Sequence, residues 1–243
     1  MKAVSLQIGI TLPTFSPDST RALGAARAAE AAGLHGVFVF DHLWPIGNPA
    51  GPALSQGPMI AATLASTERI RVGTLVARFG LLPDDVVLAS LGGLAAIGGD
   101  RLIVAIGTGD SATADENERL GIPLRSASSR RESVLSAAHQ LVGAGIECWV
   151  GAGDALTNEV ARRAGVTLNF WGAGLDLVKR ECSGGTGVTW AGPLPKERGA
   201  AAEMLRGLAD AGATWAVWGW PCSLESVVEA AGMAEIKLEP TSG

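Results

Sequence analysis

Eight short apolar runs punctuate the chain, and each is followed by a stretch with helical spacing. The runs are 6–12, 36–42, 70–76, 101–107, 146–152, 167–172, 187–192 and 213–220. They are almost continuously apolar rather than alternating, the pattern of parallel strands covered on both faces. Residues 17–32 open on Ser16 and Pro17, an N-cap residue followed by proline at the first helical position, and close at Gly33. Residues 84–97 follow Pro83 and place two aspartates in the first turn, where the helix end is positive. Val87, Leu88, Leu91, Leu94 and Ala95 recur on one face of that segment. Residues 129–143, 155–165, 197–211 and 224–232 carry the same stripe, with Asp154 and Ser223 where N-caps belong. Residues 56–66 and 174–182 are less regular helical patterns.

Eight strands alternating with eight helices predict an α/β fold, a closed (β/α)8 TIM barrel. A barrel of this kind fills 243 residues as one domain, so residues 1–243 are expected to form a single unit. A doubly wound open sheet is the rival, but it uses fewer units. The longest irregular stretches, 43–55 and 108–127, both follow strand ends. That is the face on which barrel enzymes keep their chemistry.

Composition narrows the function classes. Only 18% of residues are charged and the net charge is −5, without a basic stripe. A nucleic-acid partner needs a positive footprint, so none is expected. No apolar run reaches the roughly 18 residues of a membrane span, so no membrane partner is expected either. The first residues, MKAVSLQIGITLPTF, read as a first strand rather than a signal peptide, which predicts a cytoplasmic protein. The three cysteines are far apart and form no CxxC pair, which fits reduced thiols and no metal site.

The barrel reading gathers candidate chemistry at the strand ends. Asp41, His42 and Trp44 follow the second strand, and Val76, Ala77 and Arg78 end the third. The fourth ends in GTGD, Gly107, Thr108, Gly109 and Asp110. The fifth ends in GAGD, Gly151, Ala152, Gly153 and Asp154, and the eighth is followed by Trp218, Trp220 and Cys222. Glycine-rich loops let backbone N–H groups approach a ligand, and a helix N-terminus after GAGD favours an anion. The same glycines also suit tight turns and nothing more. A carboxylate next to an imidazole can orient it for proton transfer near neutral pH. Equally, Asp41 can cap nearby N–H groups with a half-buried His42 beside it. His35 and His139 fall before a strand and within a helix, which suits structural roles.

Several ordered segments carry a resemblance: AAEAAGLHGVFVFDHLW (28–44), ERIRVGTLV (68–76), GGDRLIVAIGTGD (98–110), ERLGIP (118–123) and, less sharply, ECWVGAGDALTNEVARRAG (147–165). Together they resemble the bacterial-luciferase-like superfamily of flavin- and coenzyme F420-dependent oxidoreductases. The resemblance implies a barrel with the cofactor ring in its mouth, and points to coenzyme F420 ahead of FMN. It implies that His42 is the base on a substrate hydroxyl, Asp110 a proton donor to the reduced ring, and Asp41 a cofactor contact. It implies a cis peptide bond between Leu75 and Val76 against one ring face. Gly107, Thr108 and Gly109 would contact the cofactor, and Gly151, Ala152 and Gly153 would hold the cofactor phosphate.

The chain departs from that pattern too. Asp110 is one methylene shorter than the glutamate of the F420-dependent sugar-phosphate dehydrogenases, and the family's long second-half insertion is absent. Counterparts of the residues that grip a sugar phosphate are missing, so a different small-molecule substrate is expected. The leading expectation is an F420-dependent oxidoreductase working by hydride transfer on a small organic substrate. An FMN-dependent monooxygenase and a cofactor-binding barrel without catalysis are the alternatives, and a metal-dependent hydrolase lacks further ligands. Members of the family often form homodimers, on which the sequence itself is silent.

Overall fold

The computed structural model describes residues 6–109 and 113–239. Eight parallel strands close on themselves in sequence order. They are β1 (Gln7–Thr11), β2 (Gly36–Val39), β3 (Arg71–Arg78), β4 (Leu102–Gly107), β5 (Glu147–Gly151), β6 (Thr167–Trp171), β7 (Val188–Pro193) and β8 (Trp215–Gly219). The helices are α1 (Ser19–Ala31), α2 (Gln56–Ser66), α3 (Asp84–Gly98), α4 (Ala114–Arg119), α5 (Ala127–Gly143), α6 (Ala155–Ala164), α7 (Leu175–Ser183), α8 (Arg198–Ala211) and α9 (Leu224–Met233). The protein is therefore a (β/α)8 barrel, as its strand pattern predicts. Among the described residues, no helix is long and apolar enough to cross a membrane.

Two details of the helix reading change. Asp18, not Ser16, caps α1 by accepting from Thr20 N–H, and Ser16 accepts from Asp18 N–H instead. Inside the stretch read as irregular, residues 114–119 form α4, which carries a site residue described below.

Two cores explain the continuous strands. The outer core lies between strands and helices and takes alternate strand residues such as Ile8, Ile10, Val37, Val39 and Val104. The inner one fills the barrel with Phe38, Leu75, Ile103, Ala105, Trp149, Ala191, Trp215 and Val217. Phe38, Trp149 and Trp215 meet with ring centroids 5.3–5.7 Å apart. Gly73 makes room for them, since a Cβ there would lie 2.7 Å from the Phe38 ring. This aromatic plug occupies the interior below the mouth.

At the opposite, N-terminal end, Ile8 N–H donates to His35 Nδ1 at 3.0 Å. Burial lowers the His35 imidazole below its ordinary 6.5, against the pull of Glu239. The unfolded chain thus takes up this proton at higher pH than the folded chain. Stability from His35 is complete above about 6.5 and is lost as pH falls towards the lower folded value. Urea midpoints of the wild type and His35→Gln should accordingly converge between about pH 7.5 and 5.5; a constant gap would refute the assignment.

Candidate active site

The C-terminal strand ends surround a cavity of about 470 Å³. Asp41, His42, Leu75, Val76, Gly107, Thr108, Gly109, Gly151, Ala152 and Gly153 all line it, so the structure brings these sequence candidates together. Asp110 lies outside the described residues.

The back wall comes from β3. Its register with β4 shifts between Thr74 and Ala77, where the ladder carries one extra residue. The peptide bond Leu75–Val76 in that shift is cis. Val76 sits over Gly107 and Gly151, where added Cβ atoms would lie 2.5 Å and 3.3 Å from its methyl groups. Those two glycines thus shape the wall by leaving room for a neighbour. Gln56 of α2 braces the segment by donating to Val39 O and Val76 O.

The rim is aromatic. Phe15 and Phe40 stack with centroids 5.9 Å apart, and Trp171 meets Phe40 edge-on at 5.7 Å. Trp171 is 54% exposed and lines the cavity. Trp220 closes the other side, its backbone N–H donating to Thr11 Oγ1 at 2.7 Å. Two other tryptophans named at strand ends lie elsewhere. Trp44 packs under Arg119 beside a separate surface hollow, while Trp218 is wholly buried against Trp190 in the outer core. Cys222 does not line the cavity, and burial raises its thiol to about 11.

Charge in the mouth is organised by Arg78, only 6% exposed. Arg78 N–H donates to Asp41 Oδ2 at 2.7 Å and Arg78 Nε to Asp41 Oδ1 at 2.8 Å. Arg78 Nη2 also pairs with Glu116 Oε2. The other Glu116 oxygen accepts from Leu43 N–H at 3.1 Å and lies 3.3 Å from His42 Nδ1. Burial pushes the Asp41 carboxyl above its ordinary value, while Arg78 and His42 pull it back. Burial alone would lower the Arg78 guanidinium, but Asp41 and Glu116 outweigh it and raise it. Nη1 of Arg78 has no hydrogen-bond partner among the described residues.

The GAGD loop differs from an open anion cradle. Ala152 N–H donates to Asn169 O and Gly153 N–H to Asn158 Oδ1. Asp154 caps α6 by accepting from Thr157 N–H, and its second oxygen pairs with Arg131 at 2.7 Å. The N–H groups of Ala152 and Gly153, expected to hold a phosphate, are thus already engaged. The loop lines the cavity through close backbone approach. By contrast the wall and aromatic rim fit a flat ring.

Residues 5–177 match the family model described as luciferase-like monooxygenase, well over half of the chain. The chain belongs to the luciferase-like monooxygenase family. Within it, 97 residues are 37% identical to an F420-dependent glucose-6-phosphate dehydrogenase of Beutenbergia cavernae. That match spans 39% of this chain and 28% of the relative. Among solved structures, the F420-dependent tetrahydromethanopterin reductase of Methanopyrus kandleri superposes with a TM-score of 0.73 at 14% identity, covering 96% of this chain and all of that one. The monooxygenase RslO1 of Streptomyces bottropensis gives 0.70 at 15% identity over 95% of this chain and 98% of its own. These two structures share the barrel.

Phe15, Phe40, Arg78, Glu116, Asn169 and Trp171 were given no role from the sequence. Applying the strand-end rule to the first and sixth strands would have flagged Phe15 and Trp171. Glu116 gave no signal, because it sits in a run of polar residues, DENER, most of which would be expected to face solvent.

Proposed function

We propose that this member of the family is a coenzyme F420-dependent oxidoreductase acting on a small, uncharged organic substrate. The observation that carries the reading is one cavity in which His42 and the Leu75–Val76 wall face a common space. The partial likeness to an F420-dependent dehydrogenase supports the choice of cofactor. Bound there, coenzyme F420 would supply a two-electron hydride carrier. Val76 and Leu75 would back one ring face, leaving the other for substrate. Phe40 and Trp171 would exclude water from the rim. Asp41 would border the ring while anchored to Arg78, and Gly107, Thr108, Gly109, Gly151, Ala152 and Gly153 would let the ligand approach the backbone closely. His42 would take the proton from a substrate hydroxyl at its ring nitrogen as hydride leaves the carbon.

The distribution of charge supports the uncharged substrate class. Arg78 is the sole lysine or arginine among the described lining residues, and its charge is already shared by two carboxylates. A sugar phosphate would lack a basic partner. An FMN-dependent monooxygenase is the second reading, favoured by the likeness in fold to RslO1.

Fluorescence titration with each cofactor separates the two. F420 should bind and be reduced by a panel of small secondary alcohols. Tight FMN binding without F420 binding would reverse the order. F420 binding without turnover across alcohols and enoate-like acceptors would favour a binding protein instead.

A further inference from the structure

We infer that Glu116 is the positioning residue of the site: it fixes the His42 imidazole as the Nδ1–H tautomer and leaves Nε2 free to act on the ligand. The inference rests on the proposed reaction for its purpose, but on geometry for its substance. Glu116 lies on α4, distant in sequence from His42, and its side chain is 4% exposed. One oxygen accepts from Leu43 N–H and faces His42 Nδ1, while the other pairs with Arg78. A carboxylate whose two oxygens both face nitrogen donors has no proton of its own to give. The proton between it and His42 therefore resides on Nδ1.

Arg78 completes the device. It holds Glu116 with Nη2 and Asp41 with Nε, so the two carboxylates cannot move independently. The Leu43 contact then fixes the backbone immediately after His42. Phe15 and Phe40 flank the imidazole with centroids 6.3 and 6.2 Å away. The ring is thus oriented by one hydrogen bond and two apolar neighbours. A neutral Nδ1–H imidazole presents an acceptor at Nε2, which is what proton removal from an alcohol requires.

The chain contains an internal contrast. His35 accepts at Nδ1 from Ile8 N–H, so its neutral form must carry hydrogen on Nε2. His139 is exposed on α5 and should average between tautomers. Long-range proton–nitrogen correlation spectra of the full chain labelled with nitrogen-15 histidine, recorded at alkaline pH, separate these states. His35→Gln and His139→Gln assign the signals. His42 is expected as a single Nδ1–H tautomer, opposite to His35. An Nε2–H signature, or averaging like that of His139, would overturn the inference in the wild type alone. Glu116→Ala should lose the single-tautomer signature of His42, while Glu116→Asp should regain part of it; an unchanged signature in Glu116→Ala would also overturn the inference. Neither reading requires activity, so a fixed Nδ1–H tautomer without F420 binding would uphold the positioning and sink only the proposed reaction.

Discussion

Replacing Arg78 by alanine is expected to destabilise the protein by about 3–5 kcal/mol, the usual consequence of removing one partner from a buried ion pair. The size follows from what is left behind. Asp41 keeps the Arg78 backbone N–H but loses the guanidinium, and Glu116 loses its Arg78 partner. Two carboxylates would then share a poorly solvated mouth without a cation between them. Burial already pushes Asp41 upward, and Arg78 is the largest force opposing that. Without it the folded-state value rises further. A carboxyl raised above its unfolded value contributes stability below that unfolded value and loses it as pH rises. The deficit of Arg78→Ala should therefore be greatest near neutrality and shrink in mild acid. Arg78→Lys keeps the charge, but a single ammonium cannot reproduce the forked contact with two carboxylates, so it should fall between. Urea unfolding across pH checks all three statements. A wild-type midpoint for Arg78→Ala would show that the cluster does not hold the mouth together.

This cluster also marks the boundary of what the sequence could tell. The barrel was legible because burial on both faces writes itself into strands as unbroken apolar runs. Gly33 after α1, with its positive φ, and the caps at Asp154 and Ser223 are equally local, and the structure has them. Asp41 and His42 were legible because a strand end is a defined place. Glu116 was not. Its partner His42 lies on a different strand end, and only the fold brings α4 over it. Arg78 was visible as a strand end, but its role depends on two carboxylates from separate segments. Trp218 shows the opposite error. It lies in β8 at a position whose alternation points it outwards, while its neighbour Val217 faces the barrel interior. Period-two counting separates these two, whereas proximity to a strand end does not. The GAGD loop teaches a similar lesson: the glycines could be read, but the side chain of Asn158 occupying the Gly153 N–H could not.

His42→Ala is the complementary substitution, expected to remove activity and leave the fold. The imidazole side chain is 18% exposed at the cavity edge, and it belongs to neither core. Its loss leaves the Phe15–Phe40 stack, the Arg78–Asp41 pair and the Leu43–Glu116 bond in place. Unfolding midpoints should consequently stay close to wild type, in contrast to Arg78→Ala. Loss of a positioned general base costs about 10²–10⁴ in rate. That loss should appear in the rate of F420 reduction at saturating alcohol, with F420 affinity nearly unchanged, because the wall and rim that would hold the ring do not depend on the imidazole. The pair of variants thus separates two properties of one network. Arg78 would carry the stability of the mouth, and His42, in the proposed reaction, its chemistry. If His42→Ala reduced F420 at the wild-type rate, the proton would have to leave by another route. The cavity would then be a cofactor site whose histidine is only part of the wall.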